Sequence, residues 1–235
     1  MRTFDGNSRI KFVSTGGIFD YKLGNSSAIV QLNNGKVLID CGYTVFGELT
    51  KKNLLDSIDY LLLTHLHGDH AGSLHPAILH WANIRKRKIK LIYTTEEFKA
   101  YLVDYLKYFL INVDNYIDFV PISSIKEIGY LDTHNLHVEG IQSFMYYFNF
   151  DDQFIYFSGD LGDVNFSLNF LRSINHSNIL VFHEVSFLQG SAHVYYKELE
   201  ILSEEFNIFA YHCNSKNAPS DCKLKFVDKF SELII

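Results

Sequence analysis

Four side chains able to bind first-row metal ions fall within six residues of the stretch Thr64-His65-Leu66-His67-Gly68-Asp69-His70. The apolar run Ile58-Asp59-Tyr60-Leu61-Leu62-Leu63 before it reads as a buried strand, and Ala71-Gly72-Ser73 after it is suited to open a helix. The ligands therefore sit on a strand-to-helix loop. On an extended segment residues two apart point the same way, so His65 and His67 can hold one ion while Asp69 and His70 turn toward a second. Each of these half-sites needs further ligands. Imidazole and carboxylate without thiolate suit Zn²⁺, Mn²⁺ or Fe²⁺, and an ion short of protein ligands keeps a place for water. The chemistry to expect is hydrolysis. One or two histidines on a turn are ordinarily surface residues, but three with an aspartate are poorly explained that way.

The elements that must position these groups can be read around them. Residues 9–13 and 28–32 read as strands, and Asn33-Asn34-Gly35 supplies a hairpin into Val37-Leu38-Ile39, which ends at Asp40. Val45, Phe46, Leu49 and Leu54 suggest a helix, residues 71–83 a second despite Pro76, and residues 89–93 a strand. Thr94 with Glu97 forms a candidate capping box for a helix carrying Phe98, Tyr101, Leu102, Tyr105, Leu106, Phe109 and Leu110 on one stripe, read as core or a partner surface. Beyond residues 117–122 the chain becomes strand-rich, with Leu136-His137-Val138, residues 144–150 and residues 154–157, leading to Ser158-Gly159-Asp160. Residues 179–182 read as a strand, 195–206 as a helix, 208–211 as a strand ending at His212, and 221–233 as a terminal helix. No internal repeat is evident.

At 235 residues the chain is long enough for one large α/β domain, and residues 1–235 are taken as such. A net charge of −6 does not suggest an electrostatic nucleic-acid binder, and Arg85-Lys86-Arg87-Lys88 reads as a solvated helix end. Three cysteines, Cys41, Cys213 and Cys222, are odd in number and widely spaced, which argues against a disulfide framework and for a reduced compartment. With no signal-peptide core and no apolar run of roughly 18 residues, the expectation is a soluble cytoplasmic protein.

The run at 65–70 resembles the His-x-His-x-Asp-His motif of the metallo-β-lactamase superfamily, and the resemblance extends over nearly the whole chain. It implies an αββα sandwich, two facing mixed β-sheets with helices outside, and two divalent transition-metal ions, Zn²⁺ first and Mn²⁺ second. Asp40 matches an aspartate that lies beneath the histidine loop and orients ligands without binding metal; its alternative reading is a turn aspartate before Gly42. Asp160 resembles the carboxylate shared by both ions, and His212 matches the last histidine, on the Asp69/His70 ion. The third histidine of the His65/His67 ion is His134 or His137. Three apart in an extended segment, they cannot easily both face the site. His137 is preferred because the residues after it resemble the family pattern. His75, His80, His176 and His183 have no motif role and are read as surface or core.

Val181-Phe182-His183-Glu184-Val185 and Ser191-Ala192-His193 resemble the phosphodiesterases of that superfamily, including the tRNA 3′-processing endonuclease RNase Z. In that group the histidine lies by the scissile phosphate and the glutamate orients it, which gives those places to His193 and Glu184. The bland alternative is a helix-capping region with a chance histidine. RNase Z commonly inserts a long tRNA-gripping arm between the third histidine and the bridging aspartate, and that arm is missing here. The compact build is similar to the phage and bacterial anti-Pycsar enzymes, cyclic-nucleotide phosphodiesterases that act as homodimers. The resemblance implies hydrolysis of a small phosphodiester such as a 3′,5′-cyclic mononucleotide, with Asp69, His193 and Glu184 in the chemistry, in the host cytoplasm if the gene is a phage's. Competing readings are an RNase Z, a carbon-ester or thioester hydrolase of the same fold, and a catalytically idle binding protein.

Overall fold

Short runs of β-branched and aromatic residues become strands, and the connections between them carry the polar chemistry. The computed structural model describes residues 9–110, 112–190 and 192–234. They form two units, one reaching to Ile125 and including 231–234, the other Lys126–Phe230.

In the first unit the strands are β1 (Ile10–Ser14), β2 (Ser27–Leu32), β3 (Gly35–Ile39), β4 (Tyr60–Leu62), β5 (Ile89–Tyr93) and β6 (Ile117–Pro121), hydrogen-bonded in that order in one sheet. β1, β2 and β3 are antiparallel, and β3 to β6 are parallel. The interior parallel strands β3 and β4 are buried on both faces where they pair, which is why they read as continuous apolar runs: Val37, Leu38, Ile39, Leu61 and Leu62 are all fully buried. Helices α1 (Val45–Lys51), α2 (Gly68–Ala71), α3 (Leu74–Leu79) and α4 (Glu96–Leu106) fill the connections.

Two local expectations need correction. Residues 71–83 are not one helix: α2 ends at Ala71, and the Ser73 hydroxyl turns aside to the Gly42 carbonyl at 2.5 Å before α3 begins. Pro76 falls in the first turn of α3, where its missing N–H removes no helical bond. The cap of α4 is Thr95, whose side chain accepts from the Phe98 N–H at 3.0 Å, and not Thr94 with Glu97. Thr94 is buried at the end of β5.

The second unit has β7 (Ile128–Asp132), β8 (Phe144–Asn149), β9 (Phe154–Phe157), β10 (Ile179–Glu184), β11 (Asn207–Tyr211) and β12 (Lys225–Phe226), again in one sheet in chain order, with α5 (Val164–Ser173) and α6 (Tyr196–Ser203). β7 to β9 are antiparallel and β9 to β12 parallel. Both sheets are therefore an antiparallel meander followed by parallel strands. His137 does not lie in a strand. Leu136 N–H bonds back to Thr133 O at 2.9 Å, so the segment turns between β7 and β8. The terminal helix is also absent. Leu224 and Phe226 are buried with exposed Lys225 between them, a period of two that pairs with β11 (Ala210 beside Phe226), and short 3₁₀ turns follow. Neither β7 nor α5 was expected from the sequence. Among the described residues no helix is long and apolar enough to cross a membrane.

This topology sets where chemistry can occur, because loops at the carboxyl ends of parallel strands converge. Asp40 follows β3, residues 65–70 follow β4, Asp160 follows β9, Glu184 ends β10, and His212 follows β11.

Candidate metal centre

In the first unit the loop after β4 is built on Asp40. Its backbone sits in the left-handed region at φ 61°, a conformation that costs a non-glycine residue on the order of 1 kcal/mol or more. Its buried carboxylate offsets this by accepting from Thr64 N–H, Thr64 Oγ1 and His70 Nδ1, each at 2.8 Å. Burial pushes the Asp40 carboxyl above its usual range, opposed by His70 and by the Thr64 bonds. Because Thr64 spends its proton on Asp40, Thr64 Oγ1 accepts from His65 Nδ1 at 3.0 Å. The consequence is tautomeric. His65 and His70 hold their protons on Nδ1 and present Nε2 as a lone pair, the form that ligates metal.

Those lone pairs have suitable neighbours. His65 Nε2 lies 3.0 Å from His67 Nδ1, and His70 Nε2 lies 3.5 Å from Asp69 Oδ2. Two ligand atoms each about 2.1 Å from one ion stand roughly 3.0 Å apart at right angles and roughly 3.4 Å apart in a tetrahedron. Both separations are those of ligands sharing a cation.

In the second unit Asp160 is the hub. Its Oδ2 lies 3.7 Å from His137 Nε2, 3.6 Å from His212 Nε2 and 3.8 Å from His193 Nδ1. These distances are too long for hydrogen bonds and close to a ligand-to-ligand edge. His137 donates from Nδ1 to Ala192 O at 3.0 Å, which leaves Nε2 to face Asp160. His212, like Asp40, holds a left-handed backbone, at φ 63°. The ligand atoms of His137, Asp160 and His193 lie within 4.8 Å of one another. His193 differs from the others. Its Nδ1 is 3.0 Å from Glu184 Oε2, and its side chain is 27% exposed where those of His137, Asp160 and His212 are nearly buried.

Glu184 is fully buried and fixed on every side. Oε1 accepts from Val194 N–H at 2.9 Å and Leu161 N–H at 3.4 Å, and its own N–H donates to Ser158 Oγ at 3.0 Å. Burial pushes its carboxyl up, and the His193 ring beside it pulls the other way.

Each unit thus brings His and Asp side chains of the metal-binding type close together. His65, His67, Asp69 and His70 are brought together over Asp40 in one, and His137, Asp160, His193 and His212 in the other. His134 is exposed and takes no part; its backbone N–H caps Asp132. Of the other histidines, His75 stacks on Phe109, His176 bonds to Phe150 O, and His183 is buried under β10. No sequence signal marked Thr64, which links Asp40 to His65, or Tyr43, whose ring lies against Gly68 and Gly72. A threonine at a strand end and a tyrosine after a glycine are too common to signal a role.

Solved structures share this architecture. The metallo-beta-lactamase fold protein YhfI from Bacillus subtilis matches with a TM-score of 0.68 and 14% identity over 87% of this chain and 85% of its own. Human tRNase Z, short form, gives 0.60 and 16% over 88% and 93%, and Zn²⁺-bound PqqB from Methylobacterium extorquens 0.65 and 11% over 88% and 90%. The fold is the αββα metallo-β-lactamase type, two mixed sheets with outer helices. Among sequence relatives, the anti-Pycsar protein Apyc1 of Bacillus phage BSP38 is 43% identical over 75 residues, 31% of this chain and 29% of that protein. That of Paenibacillus sp. (strain J14) is 40% identical over 67 residues, 28% and 27%. The matched segments span less than a third of those relatives. A family model described as Anti-Pycsar protein Apyc1, by contrast, matches residues 8–232, and the chain belongs to that family.

Proposed function

We propose that the protein is a dinuclear-metal phosphodiesterase that opens a 3′,5′-cyclic mononucleotide. The observation that carries this reading is the pairing of partly exposed His193 with buried Glu184 beside Asp160, a combination that a hydrolase of carbon esters does not need. Neither cluster fills two coordination spheres by itself. In this scheme His65, His67, Asp69, His70, His137, Asp160 and His212 would together hold the two ions. The nitrogen and oxygen donors suit Zn²⁺ best and Mn²⁺ next. When bound, two such ions lower the pKa of water and offset the charge that grows on phosphoryl oxygens.

The chain's own residues do the rest. Asp40 and Thr64 hold His65 and His70 in the ligating tautomer, and the Ala192 carbonyl does the same for His137. Water oxygen, releasing one proton to solvent, bonds to phosphorus as the phosphorus–ribose oxygen bond breaks, and His193 gives that leaving oxygen its proton and takes another from solvent afterwards. Glu184 orients the ring and favours its cationic form. Both units act as one catalytic domain, and the protein works as a homodimer in the cytoplasm of the cell that holds it. Tyr101, Tyr108 and Phe109, exposed on and just after α4, offer apolar area for a second copy; light scattering measures that state.

The experiment is a substrate panel on zinc-loaded protein: 3′,5′-cyclic mononucleotides, bis(p-nitrophenyl) phosphate, precursor tRNA and a thioester. Turnover of a cyclic mononucleotide and of the chromogenic diester is expected. Cleavage of tRNA or thioester with no cyclic-nucleotide turnover would overturn the proposal.

A further inference from the structure

Behind β10, on the face opposite Glu184, lies a buried polar chain that the site described above does not use. His183 and Glu184 are neighbours on a strand, so their side chains leave on opposite faces. Glu184 is held by Leu161, Val194 and His193. His183 packs with Tyr156 of β9, ring centroids 6.2 Å apart at 19°, and meets Ser167 of α5. Tyr156, Ser167, His183 and Glu184 are all fully buried.

The direction of the hydrogen bonds follows from what each atom can do. His183 Nδ1 lies 2.8 Å from the Glu184 carbonyl oxygen, which only accepts, so Nδ1 carries the proton. Burial lowers the His183 pKa to about 4, and the ring is neutral. Its Nε2 is then an acceptor, and Ser167 donates to it at 2.9 Å. Ser167 Oγ, having given its proton, accepts from the Tyr156 hydroxyl at 2.6 Å. The chain runs one way, from Tyr156 through Ser167 and His183 to the backbone carbonyl of Glu184.

Burying three polar side chains costs stability unless each is paired, and an apolar set of similar volume would fill the space without that demand. What the polar set adds is a fixed orientation. Glu184 N–H is already tied to Ser158, and the His183 bond ties its C=O as well, so both peptide groups flanking its Cα are fixed. A carboxylate that must meet one nitrogen of His193 at 3.0 Å depends on such fixing.

We propose that His183, set by Ser167 and Tyr156, is a positioning residue that holds Glu184 and, through it, His193. The inference rests on His193 and Glu184 being the acid pair of the proposed reaction. Asparagine can place a donor where Nδ1 stands, whereas glutamine reaches the Nε2 position and phenylalanine neither. With zinc-loaded protein, His183→Gln and His183→Phe should keep their zinc and KM while kcat on the cyclic mononucleotide drops about 10-fold or more, and His183→Asn should recover most of the rate. On bis(p-nitrophenyl) phosphate, whose leaving group needs no proton, all three should stay within about threefold of the wild type. An Asn variant as slow as the Gln variant, or equal losses on both diesters, overturns the proposal. Ring ¹⁵N NMR of the wild type gives a readout apart from turnover: His183 must show a protonated Nδ1 and a bare Nε2, and the opposite tautomer overturns the proposal. If the wild type hydrolyses neither diester, the phosphodiesterase reading fails and the tautomer decides this inference alone. Should His183→Phe not fold, the Asn and Gln pair carries the comparison.

Discussion

Asp40 bonds one candidate ligand, His70, directly and reaches a second, His65, through Thr64. Asp40→Asn keeps the shape but removes the charge that draws the His70 proton to Nδ1, so zinc affinity should fall about 10- to 100-fold by chelator competition. An unchanged affinity would contradict the role given to it. His193→Ala predicts the opposite pairing of effects: zinc content stays, while kcat on a cyclic mononucleotide falls roughly 10² to 10⁴. Loss of zinc in that variant would make His193 a ligand. His183 also gives a pH dependence. Its folded pKa of about 4 lies below the ordinary 6.5, so the unfolded chain binds the extra proton and stability drains away as pH falls from 6.5 toward 4. The contribution is about 3 kcal/mol, present in full above that window. Urea titrations should show the slope in the wild type and a shallower one in His183→Asn; identical slopes would contradict it.

A candidate ligand group was legible where several such side chains crowd one turn, as at 65–70, and not where one residue stands alone. His134 and His137 look alike in sequence, and only the turn between β7 and β8 separates them, by burying one and exposing the other. His183 sits in an apolar run and is indistinguishable there from a core histidine.

Among the elements, the segment 40–42 shows how closely the metal loop is tied to the sheet. Cys41 N–H donates to His70 O at 2.7 Å, and Ser73 N–H to Cys41 O at 2.9 Å. A Cβ on Gly42 would stand 1.8 Å from Asp69 O, a backbone atom with no freedom to swing away. Gly42→Ala should therefore cost about 1–3 kcal/mol of stability and weaken zinc binding as well, although Gly42 has no ligand atom. Urea denaturation with zinc titration checks both; a variant with wild-type zinc affinity would contradict the coupling. Buried strands with continuous apolar runs were legible, and so was the hairpin at Asn33-Asn34-Gly35. The C-terminal stretch was not, because Phe226, Val227, Phe230 and Leu233 keep a helical spacing while Leu224 and Phe226 keep a strand spacing. Pairing with β11 decided it, and that partner lies outside any local window.

At the scale of the molecule, two sheets of the same strand succession each bring His and Asp side chains together near the carboxyl ends of parallel strands. No internal repeat marks this in the sequence, since the shared feature is connectivity and the side chains differ. The motif at 65–70 implied a second set of ligands, and the family model that matches 8–232 takes in both units. The division of labour follows from the loops. The first unit supplies a turn dense in candidate ligands, and the second supplies Asp160 with three histidines around its carboxylate, one of which, His193, also lies beside Glu184. The proposed reaction needs two ions acting together on a cyclic phosphodiester. Metal-free protein titrated with Zn²⁺ while hydrolysis of a 3′,5′-cyclic mononucleotide is followed tests this directly. Turnover should stay low through the first equivalent and rise to a plateau at two per chain; full activity at one equivalent, or with no zinc, would contradict it.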